Sequence, residues 1–347
     1  RNHSYGWDAA DAVEIAREQV ADLVGCDSSE IIFTSGATEA DNLAITGTAD
    51  HPDHQKKNHI ITVKTEHKAI LDTCHSLEKE SVEITYLEVN ADGLIDLKKL
   101  ENTINARTLL VSVMHGNNEI GVIHPIDKIA GICTEKNVIF HTDAAQTAGK
   151  IPINFSGWGI DLMSISAHKM YGPKGVGALL VRKKNPALQI KPLQFGGGHE
   201  RGFRSGTLPV PLIAGFGKAC EIAKDHMVEE SKQIERLRDR LLRGIRTQLN
   251  GTIVNGSLEN RLPGNLNFTF EGVNAEALIM SIPEISLSTG SACTSSTKDP
   301  SYVLKSLGLT NSQAFSSVRI GIGRFNTEEE IDYVITRLVQ AVERIRG

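Results

Sequence analysis

Cysteine is scarce in this chain. There are five in 347 residues (Cys26, Cys74, Cys133, Cys220 and Cys293), odd in number and never paired as CxxC. That spacing excludes a disulfide framework and a zinc site built on cysteine pairs, and it fits a reducing compartment, the cytoplasm or an organelle matrix. No apolar run approaches the length that spans a bilayer. There is no block of about five like charges, and Lys plus Arg (37) nearly balance Asp plus Glu (42), for a net charge of −5. Neither a membrane nor a nucleic acid is therefore expected as a direct partner. The phosphate loops GxGxxG and GxxxxGK[ST] are both missing, which removes support for NAD and ATP. The opening residues, RNHSYGWDAAD, lack signal-peptide character.

What is present is an α/β pattern. Apolar residues recur at helical spacing from Asp8 to Val24, with Gly25 placed as a C-cap. Short β-branched runs follow at Ile31–Thr34, His59–Val63, Val82–Val89, Thr108–His115, Val138–Asp143, Asp161–Ser166 and Val176–Val181. Several lack alternation, as strands covered on both faces do. Helical stretches at Ala69–Lys79, Asp96–Asn105 and Ile126–Lys136 supply crossovers, so most of a seven-stranded sheet should be parallel, its last two runs antiparallel. Beyond about residue 208 the pattern changes to a long amphipathic helix, Leu212–Leu249, with a break expected near Asp225. Strands at Asn265–Phe270 and Ser316–Ile322 follow, then a helix from Glu328 opened by the capping box Thr327/Glu330. This predicts a large domain over 1–225 and a smaller α+β domain over 226–347.

In such sheets ligands bind beyond the carboxyl ends of the strands. Thr38, His67, Asn118, Asp143 and Lys169 all fall at or just after strand ends. Lys169, in SAHKMYGPKG, fits either a surface lysine or a desolvated amine available for Schiff-base chemistry. SGATE at 35–39 is a strand-to-helix turn whose Ala37 and Thr38 amides can hold a phosphate, with Ser166 and His168 able to add donors. Asp143 can cap a helix or face a pyridine nitrogen and keep it protonated. Gln146 can bond a ring hydroxyl, and His67 can stack on a ring and move protons. Arg319 fits either a structural ion pair or a two-bond grip on a substrate carboxylate. Cys293 lies among small polar residues, STGSACTSS, as expected of an exposed thiol with appreciable thiolate character. The other four cysteines lie in helical or apolar stretches.

Taken together, SGATEADN, KTEHKA, MHGNNEIG, HTDAAQ, SAHKMYGPKG, GGGHERGFRSGT, STGSACTSS and SSVRIGIGR resemble the cysteine desulfurases, in the housekeeping branch that supplies iron–sulfur clusters and tRNA modification. The resemblance runs over essentially the whole chain. It implies the type I fold of the aspartate-aminotransferase-like pyridoxal 5'-phosphate (PLP) enzymes, built as homodimers. It also implies that Lys169 is the Schiff-base lysine, Asp143 pairs with the pyridine nitrogen, Gln146 bonds the ring hydroxyl and His67 stacks on the ring. Ala37, Thr38, Ser166 and His168 would hold the phosphate with Thr207 from the second subunit, Asn118 would contact both cofactor and substrate, and Arg319 would bind substrate. Cys293 would take the sulfur of L-cysteine as a persulfide, releasing L-alanine, and pass it to iron–sulfur scaffold and sulfur-carrier proteins. The sequence departs from the family in lacking its usual N-terminal YLDNAATT-like segment and its C-terminal docking tail. Two other readings stay open here: a selenocysteine lyase or related PLP lyase or aminotransferase, and a catalytically impaired fragment.

Overall fold

The computed structural model describes residues 3–54, 56–184, 187–290 and 299–347. Cys293 lies outside the described residues. Contacts divide the chain into two compact units: 1–87, 97–116 and 124–227 form one, and 88–96, 117–123 and 228–347 the other.

The first unit is built on a seven-stranded sheet. Its elements in chain order are α1 (Ser4–Val24), β1 (Ile31–Thr34), α2 (Ala37–Ala49), β2 (His59–Val63), α3 (Lys68–Glu78), β3 (Glu83–Leu87), α4 (Leu97–Thr103), β4 (Thr108–Ser112), α5 (Ile126–Glu135), β5 (Ile139–Asp143), α6 (Phe155–Trp158), β6 (Leu162–Ser166) and β7 (Gly177–Val181). The strand order is β1-β7-β6-β5-β4-β2-β3, and all strands but β7 run in one direction. β1, β2, β4, β6 and β7 are buried along their whole length, which explains why their sequences are continuous apolar runs rather than alternating ones. The edge strand β3 is the most exposed of the seven. α2 packs Ala40, Leu43 and Ala44 against Ile32, Leu162 and Leu179 of the sheet. The left-handed Gly25 ends α1 by donating its N–H to Ala21, as the sequence predicts.

α7 (Val210–Gln248) is one continuous helix, not the broken one expected near Asp225. Its buried stripe lapses after Met227 and resumes at Leu237. No proline or glycine interrupts that stretch, so the backbone continues although the burial does not. The lapse coincides with the division between the two units at 227/228.

The second unit holds a four-stranded antiparallel sheet of β8 (Thr252–Val254), β9 (Asn265–Phe270), β10 (Ser288–Thr289) and β11 (Ser317–Gly321), in the order β10-β11-β9-β8. Between these strands come α8 (Ala275–Ser281), α9 (Tyr302–Ser306) and α10 (Asn311–Phe315), and the unit ends in α11 (Glu328–Arg346). Its core joins Leu237, Leu241 and Ile245 of α7 to Phe268 and Phe270 of β9 and to Ile335 and Leu338 of α11. The capping box is formed, Glu330 N–H donating to Thr327 Oγ1 at 3.3 Å and Thr327 N–H to Glu330 Oε2 at 3.2 Å. The segments 88–96 and 117–123 group with this unit because Leu94, Ile120 and Val122 pack with Val303, Leu304 and Leu307. A division at a single point along the chain cannot represent that.

Candidate cofactor and active site

The turn from β1 into α2 makes an anion cradle. Its N-cap is Gly36 (φ 151°), which supplies no side-chain cap. Glu39 instead accepts the Ser35 N–H at 2.8 Å, while Arg204 holds the same carboxylate at 2.7 Å. The first amides of α2, at Ala37 and Thr38, therefore stand where helix dipole and N–H donors favour an anion. A Cβ on Gly36 would lie 3.8 Å from Ser166 Oγ, and Ser166 shares a hydrogen bond of 2.9 Å with His168 Nδ1. Thr38, Ser166 and His168 are thus gathered at one corner of the sheet. The close packing depends on Gly177: a Cβ there would meet Ile165 O at 2.5 Å and Gly36 Cα at 2.7 Å, both backbone atoms. Gly177→Ala is expected to lower stability by about 1–3 kcal/mol and to weaken phosphate binding at the displaced turn. Chemical denaturation and a PLP titration check the two effects.

Asp143 ends β5 and is buried. Its Oδ1 accepts the Ala145 N–H at 2.8 Å. Burial raises its pKa, opposed by that bond and by the neighbouring charges of His67 and Lys169. These three side chains, from three strand ends, influence one another electrostatically at the same edge. His67 caps α3, its Nδ1 accepting the Ala69 N–H at 3.1 Å. An open cleft of about 410 Å³ joins His67 to Thr38. Gln146 Oε1 accepts from Lys150 Nζ at 3.4 Å, and burial together with the charge of Lys169 brings the Lys150 ammonium down to about 8.

Lys169 itself is exposed, which matches the surface-lysine alternative of the two left open by the sequence. β6 is buried throughout, but the chain leaves it in a short 3₁₀ turn, Ala167–Met170, that buries Ala167 and Met170 and carries His168 and Lys169 outward. Thr207 is also exposed. It follows a loop anchored by Glu200, which is buried against Arg17 and accepts the Phe33 N–H at 2.7 Å.

In the second unit Arg319, on β11, donates from Nη1 to the Asn118 carbonyl at 2.9 Å. Its Nε and Nη2, the parallel pair of a two-bond grip, make no hydrogen bond among the described residues. Glu119 is buried and raised by that burial, offset by the Ser301 hydroxyl at 2.5 Å and the charge of Arg319. Cys74, Cys133 and Cys220 are buried, and burial pushes all three thiols up, Cys74 and Cys133 to about 12. Cys26, half-buried, is raised by the same cause. None of the four has the character of a reactive thiolate.

Three buried groups behind Asp143 escaped the sequence reading: Asp41 on α2, Glu66 before α3, and His141 on β5. Asp41 and Glu66 are raised well above the usual carboxylate range, chiefly by burial, and burial lowers His141 to about 3. The signal available was Asp41 on the sheet-facing side of α2, one turn after Ala37, and His141 two residues before Asp143 on the same strand face.

An anion cradle at a helix N-terminus, a buried carboxylate near a lysine and a histidine, and a mostly parallel sheet fit a PLP-dependent enzyme of fold type I. The class-V aminotransferase family model matches residues 1–334. The chain is 54% identical to the cysteine desulfurase IscS of Haemophilus influenzae (strain PittGG), over 100% of this chain and 85% of that protein. It is equally similar to the IscS of Histophilus somni (strain 2336), with the same coverage. A solved NifS-like protein superposes with a TM-score of 0.91 at 36% identity, covering 99% of this chain and 91% of that one. SspA in complex with cysteine does so at 0.82 and 37%, covering 94% and 91%. The chain belongs to the class-V aminotransferase family and, within it, to the cysteine desulfurases.

Proposed function

We propose that this chain takes the sulfur of L-cysteine onto Cys293 as a persulfide and releases L-alanine, with PLP as cofactor. The observation that carries the reading is Asp143, buried at the end of β5 and facing both His67 and Lys169. The cysteine desulfurase relatives and the cysteine complex of a structural neighbour support the substrate.

The residues fit the cofactor. Ala37 and Thr38 would hold its phosphate with Ser166 and His168, joined by Thr207 from the second copy of a homodimer. When bound, PLP supplies an electron sink for the pair of electrons released as substrate bonds break. With PLP bound, Asp143 would keep the proton on the ring nitrogen, Gln146 would bond the ring hydroxyl, and His67 would cover the ring. Lys169 supplies the amine that anchors the cofactor and then moves the proton at the substrate's α-carbon. Arg319 grips the substrate carboxylate and Asn118 orients it. The Cys293 thiolate attacks the substrate sulfur, so that an S–S bond forms as the C–S bond breaks. The carbon left behind takes a proton and departs as alanine. Iron–sulfur scaffold and sulfur-carrier proteins, the latter feeding tRNA thiolation, are the proposed acceptors. Among the described residues no helix is long and apolar enough to cross a membrane.

Alanine formed from L-cysteine only when PLP is bound tests the reading, and a PLP-loaded protein that forms none would overturn it. Arg319→Ala should raise the KM for L-cysteine roughly ten- to a hundredfold and change kcat by less, as expected on losing a charged hydrogen-bond pair made in ground and transition states alike. Steady-state alanine production checks this.

A further inference from the structure

A second carboxyl, Asp41, is buried near Asp143. Asp41 is fully enclosed, and neither oxygen makes a hydrogen bond of normal geometry, although Ser164 lies beside it. Its nearest ring nitrogen is His141 Nε2, 3.7 Å from Oδ1. That imidazole is itself completed by two hydroxyls, Ser112 Oγ at 2.9 Å from Nδ1 and Ser164 Oγ at 3.0 Å from Nε2. Ser164 is the register partner of Asp143 across β5 and β6, and His141 precedes Asp143 on the same face of β5. The row Ser112–His141–Ser164–Asp41 therefore runs directly behind the carboxylate proposed to face the ring nitrogen.

Asp41 stands against His141 and Ser164, the strand neighbours of Asp143, and the two carboxylates repel each other in a dry interior, so the pair keeps one proton. The supply of donors decides where it sits. Asp143 has the Ala145 N–H at 2.8 Å and the ammonium of Lys169. Asp41 faces Asp143 from β5, Glu66 from the turn before α3, an imidazole that burial keeps neutral, and the Ser164 hydroxyl, which favours its charged form but is shared with His141. We propose that Asp41 is a positioning residue that stays protonated behind Asp143, so that the pair's single negative charge lies on the carboxylate facing the cofactor ring. The inference rests on the PLP assignment above and adds a role for a residue that touches neither cofactor nor substrate.

The direct test is infrared spectroscopy of the PLP-loaded protein at neutral pH with aspartate labelled by ¹³C. A carboxylic-acid C=O stretch that moves with the label is expected, lost in Asp41→Asn and kept in Asp143→Asn. Absence of any protonated aspartate, or survival of the band in Asp41→Asn, would overturn the proposal. Failure of PLP to bind at all would instead refute the cofactor assignment. A second readout comes from linkage. A carboxyl whose folded pKa is raised contributes stability fully below its unfolded pKa, and that stability is lost as pH rises toward the folded value. The unfolding constant of the holoprotein should therefore rise with pH up to about tenfold less per unit in Asp41→Asn than in the parent. Identical slopes would contradict a protonated Asp41. If Asp41→Asn does not fold, the labelled band in the unmutated protein decides the question.

Discussion

Lys169→Ala should abolish the visible absorption band of the PLP-loaded protein and reduce alanine formation by about 10³-fold or more. Two losses combine in this one substitution. The amine that anchors the cofactor disappears, so retention rests on the anion cradle at Ala37 and Thr38 and on Asp143. The group that moves the proton at the substrate's α-carbon disappears with it. The fold should survive, because Lys169 is exposed on a short turn and contributes no side chain to the core. Circular dichroism should therefore be unchanged while the spectrum of added PLP resembles that of the free cofactor. An unaltered band in Lys169→Ala would mean that another amine anchors the cofactor. Lys150 would then be the candidate, as the neighbouring lysine that titrates near 8.

Cys293→Ser should have the opposite profile. The cofactor band and the affinity for PLP should stay as in the parent, since none of the proposed cofactor residues is touched. Persulfide should become undetectable and alanine formation should fall by about 10²-fold or more, because a hydroxyl at neutral pH offers almost no anion to attack sulfur. The remaining thiols cannot take over: three are buried and all four are raised by burial. Alkylation trapping of persulfide followed by peptide mass analysis measures this directly. Full-rate desulfuration by Cys293→Ser would remove Cys293 from the mechanism.

Much of the large unit is legible in the sequence for one physical reason. Strands buried on both faces must be continuous apolar runs, and the polar residue that ends each run falls at the sheet edge where ligands bind. Ile31–Thr34 and His59–Val63 could be read to the residue on that basis. Thr327 and Glu330 were equally readable, since a capping box is local chemistry. What was not legible depends on distant packing. Nothing local in 88–96 or 117–123 shows that Leu94 and Ile120 pack with Val303 and Leu304. The polar stretch after Met227 looks like a helix break in sequence because burial, not backbone geometry, lapses there. Sequence leaves Lys169 either surface or desolvated, because only the packing shows that a turn of four residues after a buried strand brings it to the surface. Asp41 reads as an ordinary helical carboxylate, and only the sheet packed beneath α2 makes it a fully enclosed acid.

The most direct test of the central claim is a single turnover without reductant. Purified protein is loaded with PLP and mixed with L-cysteine, and both alanine and the sulfur carried by the protein are counted. The account predicts one alanine per bound cofactor, with one added sulfur atom on the peptide containing Cys293. Pyruvate and ammonia in place of alanine, or alanine without sulfur on that peptide, would contradict it.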